Sequence, residues 1–454
     1  MKISADQVLT SDGWREHVAI TLDPSGRISA IEPCDAKFDQ SVSVLLPAPG
    51  NVHSHSFQRA MAGLAERRGP NAHDDFWSWR KLMYKFLEIL TPEDIEIIAA
   101  QVQMEMLEAG YAAQAEFHYL HHAVGGSAYD DIAETSLRHA NAAELTGIGY
   151  THLPVLYMQG GCDGRQLTGG QERFGCDLDQ FSLIQSRFRE RMREMPSDTV
   201  LGVAPHSLRA VPPQAFSEVV AGLPHGPIHI HAAEQVAEVE EIIAFLGRRP
   251  VDWLLTQMEV GQRWCMIHAT QMTQDETRRL ARSGAVAGVC PVTEANLGDG
   301  IFNCVDFVSE GGMFGIGSDS NVRIGLTEEL RLLEVTQRLR DRRRTLLTNG
   351  DVRSNGRFLY EHAVAGSARA LGRSSGKIAV GAYADMLALD GKSLELAGLV
   401  GDAMLDAWIF AGADDIITDV WSAGRHMVQG GQHVQRDQIV TAYAGLSKRL
   451  RGTL

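Results

Sequence analysis

Imidazoles and carboxylates recur at the ends of short apolar runs along this chain of 454 residues. His53-Ser54-His55 closes the run PGNVHSH, and Glu116-Phe117-His118-Tyr119 closes the next. His206 follows VAP, His229-Ile230-His231 leads to Glu234, His268 ends WCMIH, and Ser318-Asp319-Ser320 ends GMFGIG. Residues two apart on a strand point to the same side, so His53 and His55 can approach one ion together. Neutral imidazole and carboxylate suit Zn²⁺ or another borderline divalent ion, and three or four such ligands with one open position make a catalytic site. Any one of the 17 His reads better as a satisfied core or surface residue. Five run ends carrying His, plus Asp319, argue for a metal jointly. No Lys occurs between Lys85 and Lys377, which excludes a carbamylated Lys bridging two metals and leaves a single ion as the expectation.

The elements that must position these residues follow from the rhythm of the sequence. Eight strand-like runs, from VLLPAPGNVH to GGMFGIGSDS, alternate with helical patterns such as Pro92–Glu108, Val236–Leu246 and Thr327–Arg340. Strands each followed by a helix imply parallel pairing with crossover helices. Spread over about 320 residues, they fit an α/β fold, a (β/α)8 TIM-like barrel whose function lies at the C-terminal strand ends. Thr91-Pro92 and Thr273 with Glu276 supply helix starts. Residues 1–45 alternate apolar and polar positions around turns at Ser11–Gly13 and Pro24–Gly26, and the tail returns to that rhythm in KIAVGAYADMLAL, AWIFAG and ITDVWSAGRHMVQ. The expected organisation is a barrel over 46–372, with 1–45 and 373–454 forming one small β-sandwich domain plus a final helix.

Composition narrows the partners. With 44% hydrophobic and 22% charged residues the chain is of the ordinary soluble globular kind. A net charge of −15 argues against nucleic acid and anionic membrane surfaces, and an anionic metabolite would need a local cluster of Arg. Six scattered Cys without a CxxC pair read as thiols of a reducing compartment. Asp6 and Asp12 interrupt any signal-like start, and no run approaches the ~20 apolar residues of a membrane span, so the cytoplasm is expected. Gly372–Gly376 (GRSSG) matches a nucleophile-elbow pattern but lacks the strand–turn–helix context and reads as a linker. The basic run Arg340–Arg344 reads as a solvated helix end. Gly315 and Gly317 precede Asp319 without a nucleotide-binding motif.

The stretches PGNVHSH, HIHAAE, MIHAT and GIGSDS, with the tail GKIAVGAYADMLALD and VWSAGRHMVQGG, resemble the amidohydrolase superfamily over nearly the whole chain, in its single-metal deaminase branch. HSHSFQRAMAGL, DDFWSWRKLMY, AEFHYLHH, APHSLRAV, HIHAAEQ and CPVTEANLGDGIF are similar, within that branch, to the N-formimidoyl-L-glutamate deiminase family. Ala112-Ala113-Gln114 and MQGGCDGRQL after Tyr157 depart from its pattern. The resemblance implies that His53, His55, His231 and Asp319 hold one zinc ion or another divalent metal, with His229 one step deeper and merely packed. It implies catalytic roles for Glu234, His268 and Asp319, and a substrate pocket lined by Gln58, Arg80, Tyr119, His206 and Arg209. Arg80, flanked by Phe76, Trp77 and Trp79, is expected in a lid. The implied reaction is hydrolysis of a formimino group to N-formyl-L-glutamate and ammonia, in histidine degradation. Arg80 and Arg209 would clamp the two carboxylates of a small dicarboxylate substrate. The resemblance also suggests a homodimer. The alternative is another single-metal deaminase acting on guanine or a related aromatic base, which needs stacking surfaces more than two Arg.

Overall fold

The computed structural model describes residues 1–34, 38–66 and 76–453, the side chains of 76–78 excepted. Two parallel sheets dominate it. One runs Gly50–Ser54, Ala113–His118, Gly149–Leu156 and Val200–Leu201, with Ala204–Pro205 also on Gly149–Leu156. The other runs Ile228–Ala232, Trp264–His268, Val286–Val289 and Met313–Ile316. Isolated parallel bridges pair Ser54 with Asp319 and Val203 with Ile228 between the two sheets. The arrangement is a TIM-barrel-like α/β domain. Its strands are buried along nearly their whole length, as parallel strands faced by helices on one side and core on the other must be.

Local signals explain the helix starts. Thr91 caps Pro92–Glu108 in a reciprocal box with Asp94, and Thr273 does the same with Glu276 for Gln274–Ser283. Val236–Leu246 ends on Gly247 in the left-handed region at φ 71°. Gly317 is explained by crowding: a Cβ there would lie 2.8 Å from the Cβ of His53 and 2.9 Å from Sγ of Cys290.

Both chain ends build a third sheet, of eight strands. Gln40–Pro47 is its joint, parallel to Lys2–Thr10 and antiparallel to Met386–Leu389. Hydrogen bonding is continuous across all eight strands, where a sandwich of two sheets was expected. Ile3, Val8, Ile20, Leu45, Met386 and Trp421 form its core. Two readings change here. Val44 to Leu46, expected in the first barrel run, belong to this sheet, and the barrel-like domain starts at Gly50. AWIFAG, expected as a strand, lies largely in the helix Asp402–Phe410, because Met404, Leu405, Trp408 and Ile409 recur at helical spacing on one buried face. The final helix Arg436–Thr453 leaves the sheet, and its Ile439 packs with Ala99, Ala100, Met104 and Ala142 of the larger domain.

GRSSG connects the domains as more than a linker. Arg373 is buried, with Nε 2.6 Å from Asp385 and Nη2 2.7 Å from Asp198, and Asp198 also holds Arg425 at 2.7 Å. Among the described residues, no helix is long and apolar enough to cross a membrane.

Candidate metal centre and active site

The C-terminal ends of the parallel strands converge on one point. Nε2 of His53 and Nε2 of His55 each lie 3.3 Å from Oδ1 of Asp319, and Nε2 of His231 is 3.1 Å from Nε2 of His53. His229, on the same strand as His231, instead bonds the carbonyl of Ala370 at 2.7 Å and stands apart. Phe117 fills the space beneath, its ring centroid 4.4 Å from that of His231 and 5.0 Å from that of His53.

Proton positions decide what this cluster can do. Nδ1 of His55 donates to the carbonyl of Phe117 at 2.9 Å, and Nδ1 of His231 donates to the carbonyl of His206 at 3.2 Å. Burial holds both rings neutral by pushing their pKa down, so each Nε2 offers a lone pair inward. Asp319 stays ionised: burial would raise its pKa, but the hydrogen bond of His53, with the charge of His268, outweighs it. Lone pairs and a carboxylate oxygen 3.3 Å apart repel unless a cation shares them. Tetrahedral Zn²⁺, at about 2.0–2.1 Å from nitrogen, separates its ligand atoms by about 3.3–3.4 Å. The donor set and spacing therefore fit a divalent ion, with carbonyl partners fixing the ligand tautomers as metal-bound imidazoles require.

Beside the cluster stands a proton-transfer pair. Nε2 of His268 lies 3.9 Å from both Oε1 of Glu234 and Oδ2 of Asp319. Burial, with Glu238 and Asp319 nearby, pushes Glu234 up to about 7, against the opposing pull of His268 and Arg209. Burial would lower His268, yet Glu234, Glu294 and Asp319 together push it well above its ordinary value. Such a pair holds a proton near neutrality and can pass it on. Glu238 braces it by accepting the backbone N–H groups of Ala233 and Glu234. Ala233, His268 and Asp319 adopt positive φ of 54°, 67° and 46°. Left-handed backbone at a non-glycine residue costs about 1–3 kcal/mol and concentrates at functional sites. His268 and Asp319 both line the cavity above the cluster.

A cavity of about 560 Å³, counting its solvent-open mouth, lies over these groups. Gln58, Arg80, Tyr119, His206 and Arg209, all expected in a substrate pocket, line it together with His55, His231, Glu234, His268 and Asp319. Gln58 donates to the Tyr119 hydroxyl at 2.8 Å, and Arg80 donates to the Tyr157 hydroxyl at 3.3 Å. Among the described residues, Nε of Arg209 is buried without a hydrogen-bond partner. Arg80 and Trp79 sit on the helix Phe76–Leu87 at the wall, while the side chains of Phe76 and Trp77 lie outside the described residues. Sequence reading does not single out Tyr157, which holds Arg80, or Glu294, whose Oε1 accepts from Nδ1 of His268 at 3.2 Å. A lone Glu on a short helix and a Tyr at a strand end carry no pattern, so only tertiary contact reveals them.

Residues 44–427 match the amidohydrolase family. The formimidoylglutamate deiminase of Pseudomonas aeruginosa is 47% identical over 445 residues, 97% of each chain. An 8-oxoguanine deaminase of the same organism is 28% identical over 373 residues, 81% of this chain and 79% of that one. Among solved structures, an amidohydrolase from Brucella melitensis superposes with a TM-score of 0.94 at 47% identity, covering 99% of both chains.

Proposed function

The chain belongs to the amidohydrolase family, and from that premise we propose that it hydrolyses N-formimidoyl-L-glutamate to N-formyl-L-glutamate and ammonia. One observation carries the choice of substrate: two arginines share a single cavity with the His/Asp cluster and the Glu234–His268 pair. Formimidoylglutamate has an amidine at one end and two carboxylates at the other, and these are the groups such a cavity complements. A planar guanidinium donates two parallel hydrogen bonds to a carboxylate. In a chain of net charge −15 those arginines also offset the repulsion a dianion meets.

His53, His55, His231 and Asp319 are the residues that would hold one zinc ion per chain. Such an ion, when bound, supplies Lewis acidity that makes water nucleophilic at neutral pH. Asp319 takes the proton of the attacking water as it closes on the formimino carbon. His268 orients that water through Nε2 and shares the charge that develops. Glu234, as carboxylate, pairs with the amidinium, takes the hydroxyl proton released as the formyl C=O forms and delivers it to the departing nitrogen, so that ammonia leaves and not amide anion; the proton held by Asp319 leaves with it as ammonium. Arg209 and Arg80 anchor the carboxylates, and Gln58, Tyr119 and His206 shape the space between. The same reading takes the two parallel sheets as one closed (β/α)8 barrel. It places the enzyme in histidine degradation in the cytoplasm, as a homodimer.

The test is ammonia release by purified, zinc-loaded protein from formimidoylglutamate, guanine and cytosine in parallel. The proposal expects turnover of the first alone. Preferential turnover of an aromatic base would overturn it.

A further inference from the structure

Glu294 has no place in the chemistry above, yet it is buried to 4% exposure directly behind His268. It lies on the short helix Pro291–Leu297, and its Oε1 is doubly engaged, accepting from Nδ1 of His268 at 3.2 Å and from the backbone N–H of Cys290 at 2.9 Å. Its backbone is held as well: its N–H donates to the carbonyl of Cys290 and its own carbonyl accepts from Asp299, both at 2.9 Å. The carboxylate therefore has little freedom to move. His268, Cys290 and Glu294 bring donor atoms within 4.8 Å of one another, the makeup of a metal site. Oε1, however, is already committed to two N–H donors, and the geometry of that oxygen is the geometry of an orienting acceptor.

We infer that Glu294 is the positioning residue that keeps the proton of His268 on Nδ1, so that Nε2 faces the reacting water between Glu234 and Asp319. Which imidazole nitrogen carries the proton is set by the hydrogen bond the other end makes. His268 sits in a left-handed backbone conformation at φ 67°, so its ring direction is not secured by regular strand geometry alone. Without the acceptor, the neutral ring is free to carry its proton on Nε2, and that nitrogen then meets the water as a donor where the reaction needs an acceptor. The inference rests on the hydrolytic reading of this site, but the tautomer itself is measurable without any substrate.

The experiment compares Glu294→Ala, Glu294→Gln and the parent enzyme, each zinc-loaded. Gln keeps a carbonyl oxygen that accepts from both Cys290 N–H and His268 Nδ1–H. Glu294→Ala is expected to lose about 100-fold in kcat, the scale for residues that orient a metal-site group, with KM within threefold and metal content unchanged. Glu294→Gln is expected to stay within fivefold of the parent. Imidazole ¹⁵N spectra, recorded at a pH high enough for the His268 ring to be neutral and with His268 assigned by difference against His268→Gln, should show Nδ1–H in parent and Glu294→Gln, and Nε2–H gained in Glu294→Ala. An Nδ1–H tautomer retained in Glu294→Ala, or a kcat there within threefold of the parent, overturns the inference. If Glu294→Ala does not fold, Glu294→Gln decides: activity within fivefold with Nδ1–H supports the role, and a loss above 50-fold with Nδ1–H retained overturns it. Absence of formimidoylglutamate turnover by the parent would count against the proposed function and leave the ¹⁵N test standing.

Discussion

Replacing Arg209 by Met removes a guanidinium whose Nε is buried with no hydrogen-bond partner among the described residues, at the wall of the cavity that holds Glu234 and His268. A buried donor without a partner is costly, and a ligand carboxylate in the cavity would supply one. Truncating one side of a buried charged pair typically costs about 2–5 kcal/mol, and 1.36 kcal/mol is tenfold in rate. The expected loss in kcat/KM for formimidoylglutamate is therefore roughly 30- to 5,000-fold. Arg209 also helps to hold Glu234 down against burial. Its removal should therefore shift the acid limb of the pH profile upward as well.

Continuous ammonia release gives kcat and KM, and metal analysis should find the zinc content unchanged, because Arg209 is not among the ligand candidates. Arg209→Lys keeps the charge but not the fork and should fall between Met and the parent. Two analogues, each lacking one of the two carboxylates, complete a cycle. For the one missing the group that Arg209 binds, Arg209→Met should change kcat/KM by less than threefold. A kcat/KM for formimidoylglutamate within threefold of the parent would refute the carboxylate-clamp reasoning.

Glu234→Gln should fold and bind metal normally while losing about 10²–10⁴ in kcat, the span of general acid–base catalysis; near-normal turnover would remove its proton-carrying role. Because Glu234 is pushed up to about 7 and must be ionised to pair with an amidinium, kcat/KM should fall as pH drops through about 7. A limb at the ordinary carboxylate value, about 4.3, would count against it. Chelation should abolish turnover and one equivalent of zinc should restore it; two ions per chain would contradict the expectation drawn from the missing Lys. Arg373→Met strands Asp385 in a buried site and should lower stability by about 3–5 kcal/mol, read as a shift of the denaturant midpoint. An unchanged midpoint would show that the domains do not depend on that ion pair.

Much of the architecture is written into local pattern. Alternating apolar runs and helical stretches announce a parallel α/β domain, because period-2 and period-3.6 burial are properties of neighbouring residues. Caps at Thr91 and Thr273 were legible for the same reason: donor and acceptor lie three residues apart. His53 and His55 could be paired from strand parity alone. The missing Lys could be counted without any structure.

Other features depend on distances that no local rule specifies. AWIF reads as a strand from its apolar residues, and only its packing as Met404, Leu405, Trp408 and Ile409 makes it a helix. GRSSG looks like a linker until Asp198, 175 residues away, is found against Arg373. The neutral tautomers of His55 and His231 rest on carbonyls of Phe117 and His206, and the orientation of His268 rests on Glu294. Residue types and spacing thus determined which chemistry this chain could carry and on what kind of scaffold. Closing the chain decided where each proton sits and which side chains stand behind the reacting groups, since hydrogen bonding and desolvation act across space and not along the sequence.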